Sequence, residues 1–486
     1  MIFNSYEFIF AFLPAVWIVY FLLNKWQLFF IRNIWLVISS LFFYSWWNPV
    51  YLPLILISML LNYYIGTLLG KAGSRRGAKL LLTAGVTANL AALGYYKYYD
   101  FFIDNLNALL STNFDLLHLA LPLAISFFTF QQIAYLVDAY RKETKEYDFW
   151  KYALFVSFFP QLIAGPIVHH NEMMPQFSRE KAHRRFHYEN FAKGIFIFSI
   201  GLFKKAVIAD TFAVWATAGF DQAEVLTFIE AWIVSLSYTF QLYFDFSGYT
   251  DMAMGAALLF NIRLPVNFNS PYKAVNIQDF WKRWHMTLTR FLTQYLYIPL
   301  GGNRKGIPRT YVNVFLVFLV SGLWHGAGWT FVLWGTLHGA ASLLNRLWQQ
   351  LGFKMNKFLG WFITFQFVNF AWVFFRAQTW EDAEKVLKGM MGMSGFTWPE
   401  QLTSLFEPAA VQAVEILSLN AATDTSLLYM LFILAGAFAV TLWAKNSVRL
   451  MDQLKPSWFS AFFICALLLI SFFSMTRVSE FLYFNF

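Results

Sequence analysis

From Phe8 to Leu23 the chain runs without a charged side chain, and stretches of the same kind return at Ile34 to Trp46, Tyr51 to Leu69 and Leu80 to Tyr96. A helix needs roughly 20 apolar residues to cross the hydrocarbon of a bilayer. No soluble core has room for so many such runs. Only 13% of the residues are charged, against about 25% in soluble domains. A porin-type barrel would instead show weak alternation over segments of about ten residues, and none is visible. The reading is an all-α, polytopic integral membrane protein with about 11–12 membrane helices.

The excess of 36 basic over 27 acidic residues then has a simple meaning. Basic residues collect in short cytoplasmic loops. No nucleic-acid motif accompanies them, so no nucleic-acid partner is expected. Membrane lipid is the expected surroundings. The single cysteine, Cys465, excludes a disulfide within the chain and reads as a small core residue. The first apolar run has no basic residues before it and no small-residue cleavage site, so it reads as a retained span.

The loop Lys71 to Lys79 holds four cations and no acid, which places it in the cytoplasm. Three spans precede it, so the N-terminus is expected outside, in a multi-pass membrane protein. Phe101 to His118 suits an interfacial segment. Leu119 to Val137 carries Pro122, Ser126, Thr129, Gln131 and Gln132, which implies a face toward protein or a water-filled cavity. Phe149 to Ala164 is short, contains Pro160 and ends at Gly165-Pro166. It is expected to be broken or re-entrant. Thr287 to Leu300, with basic clusters on both flanks, is expected to dip in from the cytoplasmic face and leave His285 shallow. Further spans are expected at Gly194 to Trp215, Val225 to Leu242, Met252 to Leu264, Trp329 to Leu344, Phe358 to Phe375, Leu427 to Trp443 and Trp458 to Phe473. Thr379 reads as the cap of a surface helix near 380–391, and 397–424 is the longest polar connection. No linker separates domains. The whole of 1–486 is read as one membrane-embedded unit: N-terminal helices over 1–140, a catalytic core over 141–345 and C-terminal helices over 346–486.

The chemistry centres on His325, in Gly322-Leu323-Trp324-His325-Gly326. An ionisable side chain inside a membrane segment usually faces a cavity and has a function. A neutral imidazole can take a proton from an attacking hydroxyl; the alternative is a buried histidine bonded to a backbone carbonyl. From Val312, His325 lies roughly 20 Å along its span, which puts it and His285 at different depths on one path. His338 follows at even odds. Asp245-Phe246-Ser247-Gly248-Tyr249-Thr250-Asp251 interrupts an apolar region; Asp245, Ser247 and Tyr249 either line a cavity or orient a histidine, or else hold helices together. Trp324 and Gln131 are further lining candidates. Asp279, Lys282, Arg283, Trp284, Asn303, Arg304 and Lys305 could hold a phosphate-bearing donor, as could Lys204 and Lys205, although cytoplasmic charge bias also accounts for the cations. His183 and His187 have metal-pair spacing without a third ligand, so no metal is expected. Phosphate-loop, dinucleotide and nucleophile-elbow motifs are absent.

At these residues the chain resembles the membrane-bound O-acyltransferases, and most of all the branch that O-acetylates alginate and peptidoglycan. The resemblance rests on Gln241 to Tyr249, Asp279 to His285, Tyr297-Ile298-Pro299-Leu300-Gly301-Gly302-Asn303, Gly322 to Gly326, Ile163-Ala164-Gly165-Pro166 and the ending Phe481 to Phe486. The related D-alanyl transferases share the Arg-Trp-His element. The Gly-Gly-Asn element and Phe374 to Ala377 are closer to the acetylating branch. The resemblance implies a protein of a bacterial inner membrane whose fold has re-entrant segments and a central tunnel, with His325 as the catalytic histidine, either deprotonating an acceptor hydroxyl or carrying the acetyl group itself, and His285 as a second functional one. It implies acetyl-CoA as a donor substrate reached from the cytoplasm, with no permanently bound cofactor. The acetyl group would pass toward an extracytoplasmic acetyltransferase partner or polysaccharide: an alginate-type exopolysaccharide first, peptidoglycan as the alternative. A competing class is an acyl or ion transporter without chemistry, although the matching halves usual in transporters are missing. A non-catalytic scaffold is a third.

Overall fold

A computed structural model describes residues 1–144, 148–178, 186–396, 425–475 and 482. His183, the 397–424 connection and most of the 481–486 ending lie outside the described residues. Among those described there are helices and no strand. The chain begins with α1 (Glu7–Lys25), α2 (Phe29–Ser45) and α3 (Leu52–Lys71). Then α4 (Arg75–Leu93) runs through a wide π turn, Gly94–Tyr98, into α5 (Tyr99–Leu110). Among the described residues, five helices are long and apolar enough to cross a membrane: α1, Pro49–Lys71, Arg75–Leu110, Ile307–His325 and Lys357–Arg376. The segment expected to lie at the interface, Phe101 to His118, is therefore mostly a continuation of the preceding span.

After α6 (Ile125–Tyr140), the segment expected to be broken is broken. α7 (Phe149–Ser157) stops at Phe158, and α8 (Phe159–Leu162) starts in a new direction. Pro160 has no N–H, and its ring would strike the carbonyl four residues back in a continuous helix. The freed groups are satisfied by protein: Phe159 N–H donates to Ser40 Oγ (3.1 Å), and Gln161 Nε2 donates to the Phe155 carbonyl (2.6 Å). Irregular backbone at membrane depth is tolerated under such cover. The chain continues through α9 (His170–Ser178).

The next part corrects a reading of the sequence. α10 (Tyr188–Phe203) passes through a π turn, Lys204–Ala209, into α11 (Asp210–Thr217). α12 (Phe228–Leu259) is then a single helix of 32 residues, where two spans were expected. The polar motif between them does not interrupt it, because its acids are neutralised from the neighbouring helix. Lys205 Nζ lies 2.7 Å from Asp245, and Lys204 Nζ lies 2.6 Å from Asp251. The two helices come close enough for this because a Cβ at Gly201 would sit 2.5 Å from the Gly248 carbonyl oxygen, and one at Gly255 would sit 2.6 Å from that of Gly194. Small residues let membrane helices approach to backbone contact.

Two apolar clusters share α12. Its first half packs with the aromatic residues Phe268, Phe280 and Trp284; its second half packs with α1, α2 and α7 to α10. The segment after α12 holds α13 (Ile277–Trp281) and α14 (Met286–Leu292), which ends in a π turn, Thr293–Tyr297. This piece is too short to span. α15 (Ile307–His325) and α16 (Trp329–Gln350) form a tight hairpin, since a Cβ on Gly322 would meet the Phe331 carbonyl oxygen at 2.3 Å. α17 (Lys357–Arg376) follows. α18 (Trp380–Met390) starts at Thr379, whose capping box with Asp382 is formed, and turns Ala383 and Val386 inward. α19 (Thr425–Trp443), α20 (Ser447–Asp452) and α21 (Trp458–Ser474) complete the bundle. Cys465 lies on an exposed face of α21 and is not the core residue expected; other residues of its helix meet α10 and the N-terminal segment, through Phe463 on Phe196 and Phe472 on Tyr6 and Phe10.

Candidate functional site

His325 is the last residue of α15, and its side chain is 4% exposed. Its ring is enclosed by aromatic faces: Trp324 at 4.9 Å, Phe375 at 5.1 Å and Trp334 at 5.2 Å between centroids. Nδ1 has no hydrogen-bond partner among the described residues. The alternative of a histidine bonded by Nδ1 to a backbone carbonyl is not what this geometry contains.

His285 lies beside it. The two imidazole centroids are 6.4 Å apart, so the expectation of different depths on one path is wrong. His285 is fully buried and serves as N-cap of α14 with φ +43° and ψ 53°. A residue other than glycine in that left-handed region is strained, and such strain gathers at functional sites. Asn267 holds the ring: His285 Nδ1 lies 3.1 Å from Asn267 Oδ1. The same oxygen accepts the Thr287 N–H (3.2 Å) and hydroxyl (2.8 Å). A backbone N–H can only donate, so the atom facing it is the amide oxygen and His285 carries its proton on Nδ1. The lone pair is then on Nε2, which has no partner among the described residues. Phe246 meets this ring edge-on at 4.8 Å.

His338 is placed differently. Trp281 Nε1 donates to its Nδ1 at 3.3 Å, and Trp334 separates it from His325. This position makes it a support of the aromatic wall.

Two cavities approach His325 from opposite ends of the last turn of α15. One is a cleft of about 410 Å³ between α13–α14 and α15–α16, lined by Leu288, Leu292, Val317 and Phe318, with Lys282 and Arg346 among its polar residues; it reaches Ser321. The other, about 290 Å³, is lined by Tyr95, Lys97, Asp100, Gly326 and Phe331. His325 itself is among the lining residues of neither.

The sequence-based candidates divide accordingly. Lys282 lines the cleft. Arg283 is paired with Asp279 at 2.8 Å, Trp284 is packed against Phe280, Trp372 and Tyr272, and Asn303 and Arg304 are exposed on a turn held by Asn313. None of these four is among the residues lining the cleft. Lys273, near this end, has its pKa pushed down by partial burial and by the charges of Arg283 and Arg449, which marks the region as cationic. Trp324 stacks on Phe130 at 5.1 Å, and the neighbouring Gln131 is buried with Oε1 unpartnered among the described residues. Asp245 is tied to Lys205, which also meets Asp210 at 2.9 Å. Tyr249 stacks on Phe3 at 4.6 Å, and Ser247 is buried in α12. Among the described residues, the ion pairs of Asp245, Lys204 and Lys205 join helices. His187 caps α10; its suggested metal partner His183 is not described.

Three residues escaped the sequence reading. Lys97 donates to the carbonyls of Trp324 (2.6 Å) and His325 (3.1 Å). Asn267 orients His285, and Arg346 joins Lys282 in the cleft. Lys97 carried a signal, since it is a lone cation amid Tyr95, Tyr96, Tyr98 and Tyr99 at the end of an apolar run. Asn267 carried none.

A family model described as the membrane-bound O-acyltransferase family matches residues 34–379. A peptidoglycan O-acetyltransferase of Helicobacter pylori is 48% identical over 100% of this chain and 98% of its own length. A probable alginate O-acetylase AlgI of Pseudomonas aeruginosa is 41% identical over 83% of this chain and 77% of its own. A teichoic acid D-alanyltransferase of Bacillus subtilis is 27% identical over 52% of this chain and 68% of its own. With a matched core, full-length similarity to an O-acetyltransferase and a buried histidine pair, the chain belongs to the membrane-bound O-acyltransferase family and is a membrane-bound O-acetyltransferase.

Proposed function

We propose that this enzyme moves an acetyl group from acetyl-CoA on the cytoplasmic side to a hydroxyl on the other face of the membrane, with His325 as the general base and peptidoglycan as the final acceptor. One observation carries the reading: His325 ends a helix whose last turn has a cation-edged apolar cleft at Ser321 and a separate polar cavity at Gly326. The cleft suits the pantetheine arm of a thioester, with Lys282 and Arg346 toward its phosphates. The second cavity suits an incoming hydroxyl, from the glycan itself or from an extracytoplasmic partner acetyltransferase.

In this scheme His325 takes the proton of the acceptor hydroxyl as the hydroxyl oxygen bonds to the thioester carbonyl carbon. The carbonyl re-forms, the carbon–sulfur bond breaks, and the imidazolium returns the proton to the departing thiolate. General-base help of this kind is worth about 10²–10⁴-fold; positioning and exclusion of water supply more. The neutral Nε2 of His285 is available to accept a hydrogen bond from substrate.

The sequence alone put an alginate-type polymer first. The similarity along the whole chain to a protein named for peptidoglycan favours the other order. The test uses purified protein in lipid nanodiscs with labelled acetyl-CoA. Thioester turnover is expected, and His325→Ala should lower it at least about 100-fold with the protein still monodisperse. Normal turnover in that variant would overturn the scheme. Loss of O-acetyl groups from muropeptides in a deletion strain, and not from secreted glycan, is the expected outcome for the acceptor.

A further inference from the structure

We propose that Lys97 is a positioning residue of acetyl transfer: its ammonium clamps the end of the helix that carries His325 and so holds the imidazole in place. The inference rests on the reading of His325 as the reactive group.

The last carbonyls of a helix have no intrahelical partner. In α15 those of Leu323, Trp324 and His325 all receive donors from one short stretch of another element. Tyr98 hydroxyl donates to the Leu323 carbonyl at 2.7 Å, and Lys97 Nζ donates to those of Trp324 at 2.6 Å and His325 at 3.1 Å. Lys97 is a half-buried cation whose Nζ also lies 3.5 Å from Ser126 Oγ and 5.9 Å from the centroid of the Tyr98 ring. A cation at a helix C-terminus also meets the negative end of the helix dipole.

The π turn Gly94–Tyr98 makes this contact possible. A π turn inserts an extra residue into a helix and commonly marks a functional site. Here it presents the adjacent Lys97 and Tyr98 to a single helix end.

This clamp has a reason to exist. The ring of His325 makes aromatic contacts and no hydrogen bond at Nδ1 among the described residues. Its position therefore follows its own backbone and the packing around it, and among the described residues Lys97 is the charged side chain bonded to that backbone. Lys97 also lines the second cavity, but its hydrogen bonds go to the two carbonyls and Ser126, so the role assigned to it is to position His325 and not to serve as the base.

The experiment compares Lys97→Met, Lys97→Arg, Tyr98→Phe and His325→Ala in nanodiscs, each checked for monodispersity and assayed with acetyl-CoA. Lys97→Met is expected to lower kcat about tenfold or more while leaving KM for acetyl-CoA within about twofold, since the donor cleft does not include Lys97. Lys97→Arg, which can span two carbonyls, should recover at least half of that loss on a logarithmic scale. Tyr98→Phe, which removes a neutral bond from the same helix end, should cost less than about threefold. If His325→Ala is inactive but Lys97→Met keeps wild-type kcat, the positioning role is wrong and the His325 scheme stands. If Lys97→Met does not yield monodisperse protein, Lys97→Arg decides: kcat within about threefold of wild type supports the clamp, and kcat reduced tenfold or more in a well-folded Lys97→Arg overturns it. Active His325→Ala overturns the underlying scheme instead.

Discussion

The imidazole rings of His285 and His325 lie 6.4 Å apart, although His285 precedes a short non-spanning helix and His325 ends a long one. His285 heads α14 deep in the bundle, and its strained backbone turns its ring toward the end of α15. Both rings are buried, and each has a nitrogen without a partner among the described residues. That pairing, more than either histidine alone, defines the site.

Asn267 fixes one half of the pair. Asn267→Ala frees the His285 ring and leaves the Thr287 N–H without its acceptor. The expected result is a loss of turnover of about tenfold or more, with about 1–3 kcal/mol of stability. Turnover per folded molecule and thermal unfolding of the variant check both halves.

The cations of the cleft act on the donor. Lys282→Ala with Arg346→Ala should raise KM for acetyl-CoA several-fold and weaken its salt dependence. KM for an acetyl thioester lacking phosphates should change little. An equal rise for both donors would remove these residues from phosphate recognition.

Asp245 is assigned to the fold. Asp245→Ala leaves Lys205 buried with one partner fewer, which costs about 3–5 kcal/mol when a buried pair is broken. The yield of folded protein and its unfolding temperature should fall, while turnover per folded molecule stays near wild type. A stable but inactive variant would return Asp245 to the active site.

The glycine crossing of α10 and α12 is equally testable. Gly201→Val places a branched side chain where even a Cβ meets the Gly248 carbonyl oxygen at 2.5 Å. The helices must separate, and with them the two ion pairs that cross the same interface. Loss of monodisperse protein is expected; Ser199→Ala on the same helix, whose hydroxyl donates to the Ile195 carbonyl one turn back at 2.7 Å, serves as the tolerated comparison.

Much of the fold was legible because its causes are local. Pro160 breaks α7 from α8 whatever surrounds it, and Thr379 with Asp382 caps α18 from within four residues. The polar motif around Asp245 misled because its meaning depends on a partner helix. Read alone, two acids interrupt a span. Beside Lys204 and Lys205 they sit within an unbroken helix.

The same distinction separates what the amino-acid order determined from what tertiary structure decided. Apolar runs in a membrane must satisfy their backbone internally, so helical class and the breaks within it follow from composition and prolines alone. The motif around His325 was likewise visible without coordinates. The depth of His285, the helix-joining role of Asp245, and the placement of Asn267, Lys97 and Arg346 around the site were decided only by packing. Each depends on which helix faces which, and a side chain's partner across a bundle leaves no trace in its own neighbours along the chain.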